Sequence, residues 1–277
     1  VSESMNGTTA NTPPTLYIEG PAFWAPTLPG WDLARAAFRE EGALTDPPAK
    51  RPSPQMLAPA ERRRAPDTVA LALEVATAAV AASGRDAKAL PCVFASAHGD
   101  LGINDYMCST LATDPSVLSP TKFHNSVHNA AVGYWSIGTG CMAASNSVSA
   151  FETSFAAALL ETATQCAADQ QAILLVGFDV PAVGPLASVT TSRGLMATAF
   201  VVSPVRTERA VASFDWSLEP GLSQVPALHS PAAKVLDTNS IADALPVFEA
   251  LARGSTGPLR LPLAPTMSLR LLLHPLD

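Results

Sequence analysis

Within the stretch SVHNAAVGYWSIGTG, residues 126–140, a serine, a histidine and an amide fall within four positions as Ser126, His128 and Asn129. A hydroxyl beside an imidazole is the raw material of acyl transfer, in which the imidazole takes the hydroxyl proton. Residues two apart share a face only on an extended backbone, and spacing identifies no acid that would hold the imidazole. The chain also contains no GxSxG elbow. His124 and His128 stand four apart, but they would meet only on a helix, and Pro120 and the Ser/Asn content work against one, so no metal site is expected.

The thiols give a second set of candidates. Cys92, Cys108, Cys141 and Cys166 are too widely spaced for a CxxC metal pattern or a dense disulfide scaffold, and reduced thiols in a cytoplasmic protein fit best. Cys166 falls near a helix end, where the dipole raises a thiol pKa. Cys141, in a glycine turn, has the more favourable setting; buried inert thiols are the plainer reading of all four. The run Arg62, Arg63 and Arg64 is the one basic cluster, either a solvated face ahead of a helix or a dock for an acidic partner such as a carrier protein. No phosphate cradle occurs, since GTGCMAAS lacks the lysine that would hold one, and no cofactor is expected.

The elements that must position these residues follow from pattern. Residues 1–15, polar and rich in Pro and Thr, are expected to form a flexible arm, with Met5 as the natural start; residues 16–277 are expected to form one domain. TLYIEG reads as a short strand broken by the prolines of PAFWAPTLPGWD, and a helix follows from Asp32 to Gly42. Residues 46–60 read as a surface loop. Val69, Leu73, Ala76 and Val80 predict a helix capped by Asp67 or Thr68 and ended by Gly84. LPCVFASAHGD is a buried strand, and a helix starts near Asn104 and stops near Pro115. Val132, Trp135 and Ile137 keep a helical spacing. The residues from Met142 onward are small and hydroxylated and lead into an amphipathic helix around Phe155, Leu159, Leu160 and Ala163. QAILLVGFD and GLMATAFVVSP are strands. Beyond Pro204, RAVASFDWSLEPG reads as a strand, NSIADALPVFEALARGS as a helix capped by Asn239 or Ser240, and TMSLRLLLHPL as a closing strand. The alternation defines an α/β layered domain.

Composition narrows the function classes. Of the 277 residues, 48% are hydrophobic and only 15% charged, against about 25% charged in an average domain, so apolar surface is left to cover by a partner or a second copy. A net charge of −7 argues against nucleic acid, and neither a membrane span nor a signal peptide is recognisable.

The segments SPTKFHNSVHNAAVGYWSIGTG, SAFETSFAAALLE, AILLVGFD and GLMATAFVVSP together resemble the β-ketoacyl synthase family, the N-terminal half of its thiolase-type fold. With YIEGPAFWAPTLPGW and RRRAPDTVALALEVA the resemblance covers roughly residues 16–205 and is closest to the short chain length factors found beside aryl polyene synthases. It implies a single mixed sheet of βαβ type flanked by helices, without the C-terminal ketosynthase half. Asn129 and Gly133 match a family pair that opens a helix. Counting without gaps from Asn129 to the family's nucleophilic cysteine, at a strand-to-helix elbow, places Glu152 there. Its neighbours Ser147, Ser149, Thr153 and Ser154 offer no thiol, and no cysteine lies between Cys141 and Cys166. The two histidines supplied by the family's second half also lack counterparts, because His229 and His274 have no matching glycine motif.

The resemblance therefore implies a subunit inactive alone that pairs with a full-length ketosynthase in polyketide or fatty-acid-type elongation and meets the acyl carrier protein through it. Ser126, His128, Asn129, Gly133 and Trp135 would then belong to a pocket or interface. Two rivals stay open: a self-standing acyltransferase or thioesterase using Ser126 and His128 or Cys141, and a homodimeric protein that binds polyketide intermediates.

Overall fold

A computed structural model describes residues 13–276 except 191, 222 and 223, so most of the expected N-terminal arm lies outside the described residues. In chain order the elements are β1 (Leu16–Trp24), α1 (Trp31–Phe38), α2 (Pro59–Arg64), α3 (Asp67–Ser83), β2 (Cys92–Ala95), α4 (Leu101–Thr113), α5 (Pro120–His124), α6 (Ala130–Thr139) and β3 (Ser145–Val148). There follow α7 (Ser154–Asp169), β4 (Ile173–Asp179), β5 (Met196–Ser203), β6 (Ala210–Pro220), α8 (Pro231–Lys234), α9 (Leu245–Arg253), β7 (Pro258–Ala264) and β8 (Met267–Pro275). Among the described residues the strands join one eight-stranded mixed sheet in the order β3-β2-β4-β5-β1-β6-β8-β7. The three strands β3, β2 and β4 run parallel, and every other pairing is antiparallel.

Two cores lie on opposite faces of this sheet. On one face α3 and α6 pack Leu71, Val75 and Trp135 against Phe94, Val176 and Val201. On the other, α1, α7 and α9 gather Phe38, Phe155 and Phe248 over Phe23, Phe200 and Leu271. The sheet curls around α7, which touches β3 and β7, the two edge strands. Such a sheet, buried on both sides near its middle, accounts for the uninterrupted apolar runs of β4 and β5.

Several expectations are corrected by tertiary context. The first strand does not stop before Pro21. It runs on to Trp24 through a register shift between Glu19 and Ala22, and a bulge of this kind absorbs the missing proline N–H. Gly20 sits at that bulge with φ 54°, and a Cβ there would lie 2.3 Å from the Ala79 carbonyl oxygen, so glycine is what lets β1 cross α3. Ser145–Val148, read as part of the lead into a helix, is instead the edge strand β3, created by parallel pairing with Cys92–Ala95. Pro59 and Ala60, read as loop, open α2. Neither Asp67 nor Thr68 caps α3, since Pro66 holds the cap position without a side-chain bond, while Gly84 closes the helix in the left-handed conformation as expected. The fourth helix begins at Leu101, three residues early, because the Asp100 carboxylate accepts from the Ile103 N–H. Asn239 and Ser240 do not cap α9, which starts at Leu245 after a short 3₁₀ turn. Strand β7 and helix α8 were not anticipated.

Candidate functional site

Parallel strands bring their carboxyl ends to one side of a sheet, and there the chain turns carry chemistry. Here the ends of β2, β3 and β4 meet. After β2, the buried Ser96 donates from Oγ to Asp179 Oδ1 at 2.7 Å and accepts from the Gly99 N–H at 2.8 Å. The next residue, Ala97, donates its N–H to Asp179 Oδ2 at 2.8 Å and accepts from Ser149 Oγ at 2.9 Å. A carboxyl at the tip of β4 thus fixes the β2 turn, and that turn holds the residue after β3.

Between β3 and α7 lies the elbow. Its backbone is laced by Ser154 Oγ, which accepts from the Ala150 N–H at 3.0 Å and donates to the Phe151 carbonyl at 2.7 Å. Thr153 Oγ1 donates to the Ala150 carbonyl at 2.9 Å. Phe151 stands at φ 55°, a left-handed conformation that costs a residue with a Cβ about 1–2 kcal/mol and persists where surroundings impose it. Its ring is half exposed and lies edge-on to His98, with centroids 5.4 Å apart. Nε2 of His98 is 3.0 Å from Thr190 Oγ1, and burial pulls the imidazole pKa down, so this ring is neutral at neutral pH. Glu152, next to Phe151, is exposed and lines a cavity of about 290 Å³ together with Thr190, Leu228, Asn239, Ser240 and Asp243. Counting had placed the nucleophile-equivalent position at Glu152; the left-handed residue of the elbow is its neighbour.

The other candidates from sequence are dispersed. Ser126 Oγ donates to the Phe123 carbonyl at 2.8 Å, closing a turn, while His128 Nε2 bonds the Ser96 carbonyl at 2.8 Å and so braces the β2 turn from behind. Serine and histidine do not meet. Asn129 holds the cap position just before α6, without a side-chain cap bond. Together with Gly133, His124, Val127, Ile137 and Met56 it borders an apolar groove of about 390 Å³. Trp135 lies beneath, fully buried. Arg62 is engaged with Gln55 and the Leu57 carbonyl, which leaves Arg63 and Arg64 exposed.

Cys141 is buried against the Leu90 carbonyl at the C-terminal end of α6, away from any activating helix N-terminus. Cys92 and Cys166 are buried too, and burial pushes both thiols up to about 12. Cys108 alone is exposed, on α4. His274 pairs with Asp215 on β6, and His229 gives its N–H to Glu249; neither borders the elbow cavity.

Sequence reasoning missed His98, Phe151, Asp179 and Asp243. Asp179 had left a trace, as a lone acid closing an apolar strand at its carboxyl end. Asp243, a single acid amid IADALPVF, had left a fainter one.

A family model described as the beta-ketoacyl synthase N-terminal domain matches residues 37–258. The chain belongs to that family, and its fold is the thiolase-like ketosynthase half. Among solved structures it is similar to a chain in the complex of the ketosynthase ApeO with its chain length factor ApeC from Xenorhabdus doucetiae. That match has a TM-score of 0.70 and 22% identity, over 93% of this chain and 99% of the other. The ishigamide ketosynthase/chain length factor gives a TM-score of 0.72 at 13% identity, over 95% of this chain and 100% of the other. A β-ketoacyl synthase from Burkholderia phymatum STM815 gives 0.64 at 10%, over 95% and 100%. No curated protein matches the sequence. Among the described residues no helix is long and apolar enough to cross a membrane.

Proposed function

We propose that this chain is a non-catalytic ketosynthase-like subunit, a chain length factor, that pairs with a condensing ketosynthase during polyketide or fatty-acid-type elongation. One observation carries the reading: at the elbow between β3 and α7 stand Phe151 and Glu152, and the nearest cysteines in sequence, Cys141 and Cys166, are buried elsewhere. A carboxylate beside a helix N-terminus is electrostatically comfortable, but it cannot accept an acyl group as a thioester. In this reading the elbow's reacting position carries no thiol, and Phe151, with the strained backbone, occupies it.

The edge strand β3 and the apolar surface beside it support the pairing. Ile137 is 83% exposed and Met142 94%, and Val127 and Phe123 lie exposed on the preceding turn and helix. An unpaired edge flanked by apolar side chains is a template for strand addition from another subunit. In this reading α6 and β3 form the heterodimer face, and the carrier protein is met through the ketosynthase, with Arg63 and Arg64 as its contacts on this chain.

Co-expression with an aryl polyene-type ketosynthase tests the proposal. The expected result is a stable one-to-one complex in which intact mass shows acylation of the ketosynthase and none of this chain. Acylation of the wild-type chain, or turnover of an acyl thioester without a partner, would establish the self-standing enzyme instead. A homodimer that ignores the ketosynthase would establish the binding protein. Phe151→Cys is expected to create an acylatable thiol at the elbow, and Glu152→Cys is not; the reverse pattern would restore Glu152 as the nucleophile-equivalent residue.

A further inference from the structure

Beneath the elbow lie two carboxyls that no motif singled out. Asp179 is buried at the end of β4, with both oxygens taken by Ser96 Oγ and the Ala97 N–H. Asp243 lies in the 3₁₀ turn before α9, and its Oδ2 accepts from the Ala156 N–H at 2.9 Å, in the first turn of α7. Its Oδ1 is buried with no hydrogen-bond partner. Asn239 ties the two together: its amide donates to the Asp179 carbonyl at 3.4 Å, and its side-chain oxygen accepts from the Ile241 N–H at 3.1 Å. Ile241 and Phe155 close over Gly177, each with a carbon 3.1 Å from where a Cβ would be, so the loop is pressed onto the sheet.

Among the described residues neither carboxyl forms a salt bridge. On the packed elements, Glu152, Arg193, Lys234 and Asp237 are exposed, and Glu249 on α9 is occupied by the His229 and Ser230 N–H groups. His98 is bonded to Thr190 and held neutral. Burial raises Asp179 to about 7 and Asp243 to about 8, each against the lowering effect of its N–H donors, and the charge on Asp179 raises Asp243 further.

We infer that Asp179 and Asp243 form a latch that clamps loop 237–244 onto the first turn of α7 and the turn after β2, and that releases the cavity at the elbow when both carboxyls ionise. Three of the four carboxyl oxygens already accept bonds, so Asp243 Oδ1 is the atom that takes the proton without displacing one. A buried neutral O–H without an acceptor costs less than a second buried anion. Both carboxyls titrate higher in the folded chain than in the unfolded one, whose aspartates titrate near about 4. Their contribution to stability is therefore full below about pH 4 and is lost as pH rises through about 7 to 8.

The test compares the chain with Asp243→Asn, whose amide copies the protonated carboxyl. Between about pH 5.5 and about pH 8.5, wild-type Tm is expected to fall by roughly 5 °C more than that of the variant, which should be the more stable at the upper pH. Over the same range, exchange of the Ala156 amide, corrected for its intrinsic rate, should rise roughly tenfold in the wild type and stay level in the variant. Parallel Tm profiles, or equal exchange, overturn the latch. Should Asp243→Asn fail to fold, infrared titration of the wild type decides: a protonated-carboxyl band lost between about pH 6 and about pH 9 supports it, and absence of that band sinks it.

Discussion

The two edges of the sheet are built in opposite ways. At β7 the edge carries Pro258 and Pro262, the pairing slips between Pro262 and Ala264, and Arg260 lies against Glu219 at 2.8 Å. Arg270 adds a second ion pair with Glu219 and His274 a hydrogen bond with Asp215 on the flank formed by β6 and β8, while Leu269, Leu271 and Leu273 alternate with these residues into the core. Prolines, a slipped register and charges are the devices by which a sheet edge repels another strand. At β3 none of them is present: the strand reads SNSV, and the exposed Ile137 and Met142 lie nearby in sequence. Under the proposed function, the bare edge is the one left for a partner, because nothing on it repels an added strand.

Four substitutions would break or sharpen that contrast, and they are given from the largest effect to the smallest. Leu271→Ala, on the core side of the guarded flank, should cost about 2–5 kcal/mol of folding stability by denaturant unfolding while leaving ketosynthase capture unchanged at temperatures where the variant is folded. Ile137→Glu should do the opposite, lowering affinity for the ketosynthase roughly thirtyfold, about 2 kcal/mol, by titration calorimetry. Its effect on unfolding should stay within about 0.5 kcal/mol, because the side chain is already in water. A large loss of stability with intact pairing would show that the Ile137 side chain packs inward and that the bare edge is not the interface. Phe151→Gly should raise stability by roughly 1 kcal/mol or less, since relief of the left-handed backbone is offset by the greater freedom of the unfolded chain. Glu219→Ala, on the exposed ion-paired face, should change stability by under about 1 kcal/mol and leave pairing alone. A loss of pairing there would mean that both edges are used.

How much of this was readable in the chain depends on the range of the interaction that fixes each element. Helix α3, its end at Gly84 and strands β4 and β5 were legible because their burial is written as a local apolar run. Strand β3 was not, because Ser145, Asn146 and Ser147 have no strand preference of their own and extend only by pairing with β2, some fifty residues earlier. For the elbow, sequence marked its place and its lack of sulfur, yet residue counting could not say which residue takes the left-handed turn. That is decided by the hydroxyls of Thr153 and Ser154 bonding back to Ala150 and Phe151. The candidate pair Ser126 and His128 does not meet, because each side chain bonds a nearby backbone carbonyl instead.

Sequence alone determined the alternation of strands and helices, the excess of apolar residues over charged ones and the absence of a thiol between Cys141 and Cys166, since each is a property of neighbouring residues or of a sum. Tertiary structure decided which apolar residues stay outside, which acids are buried together and which edge of the sheet is bare. Those depend on what the curled sheet brings near from far along the chain, where the local free-energy preferences of a segment say nothing about its eventual neighbour.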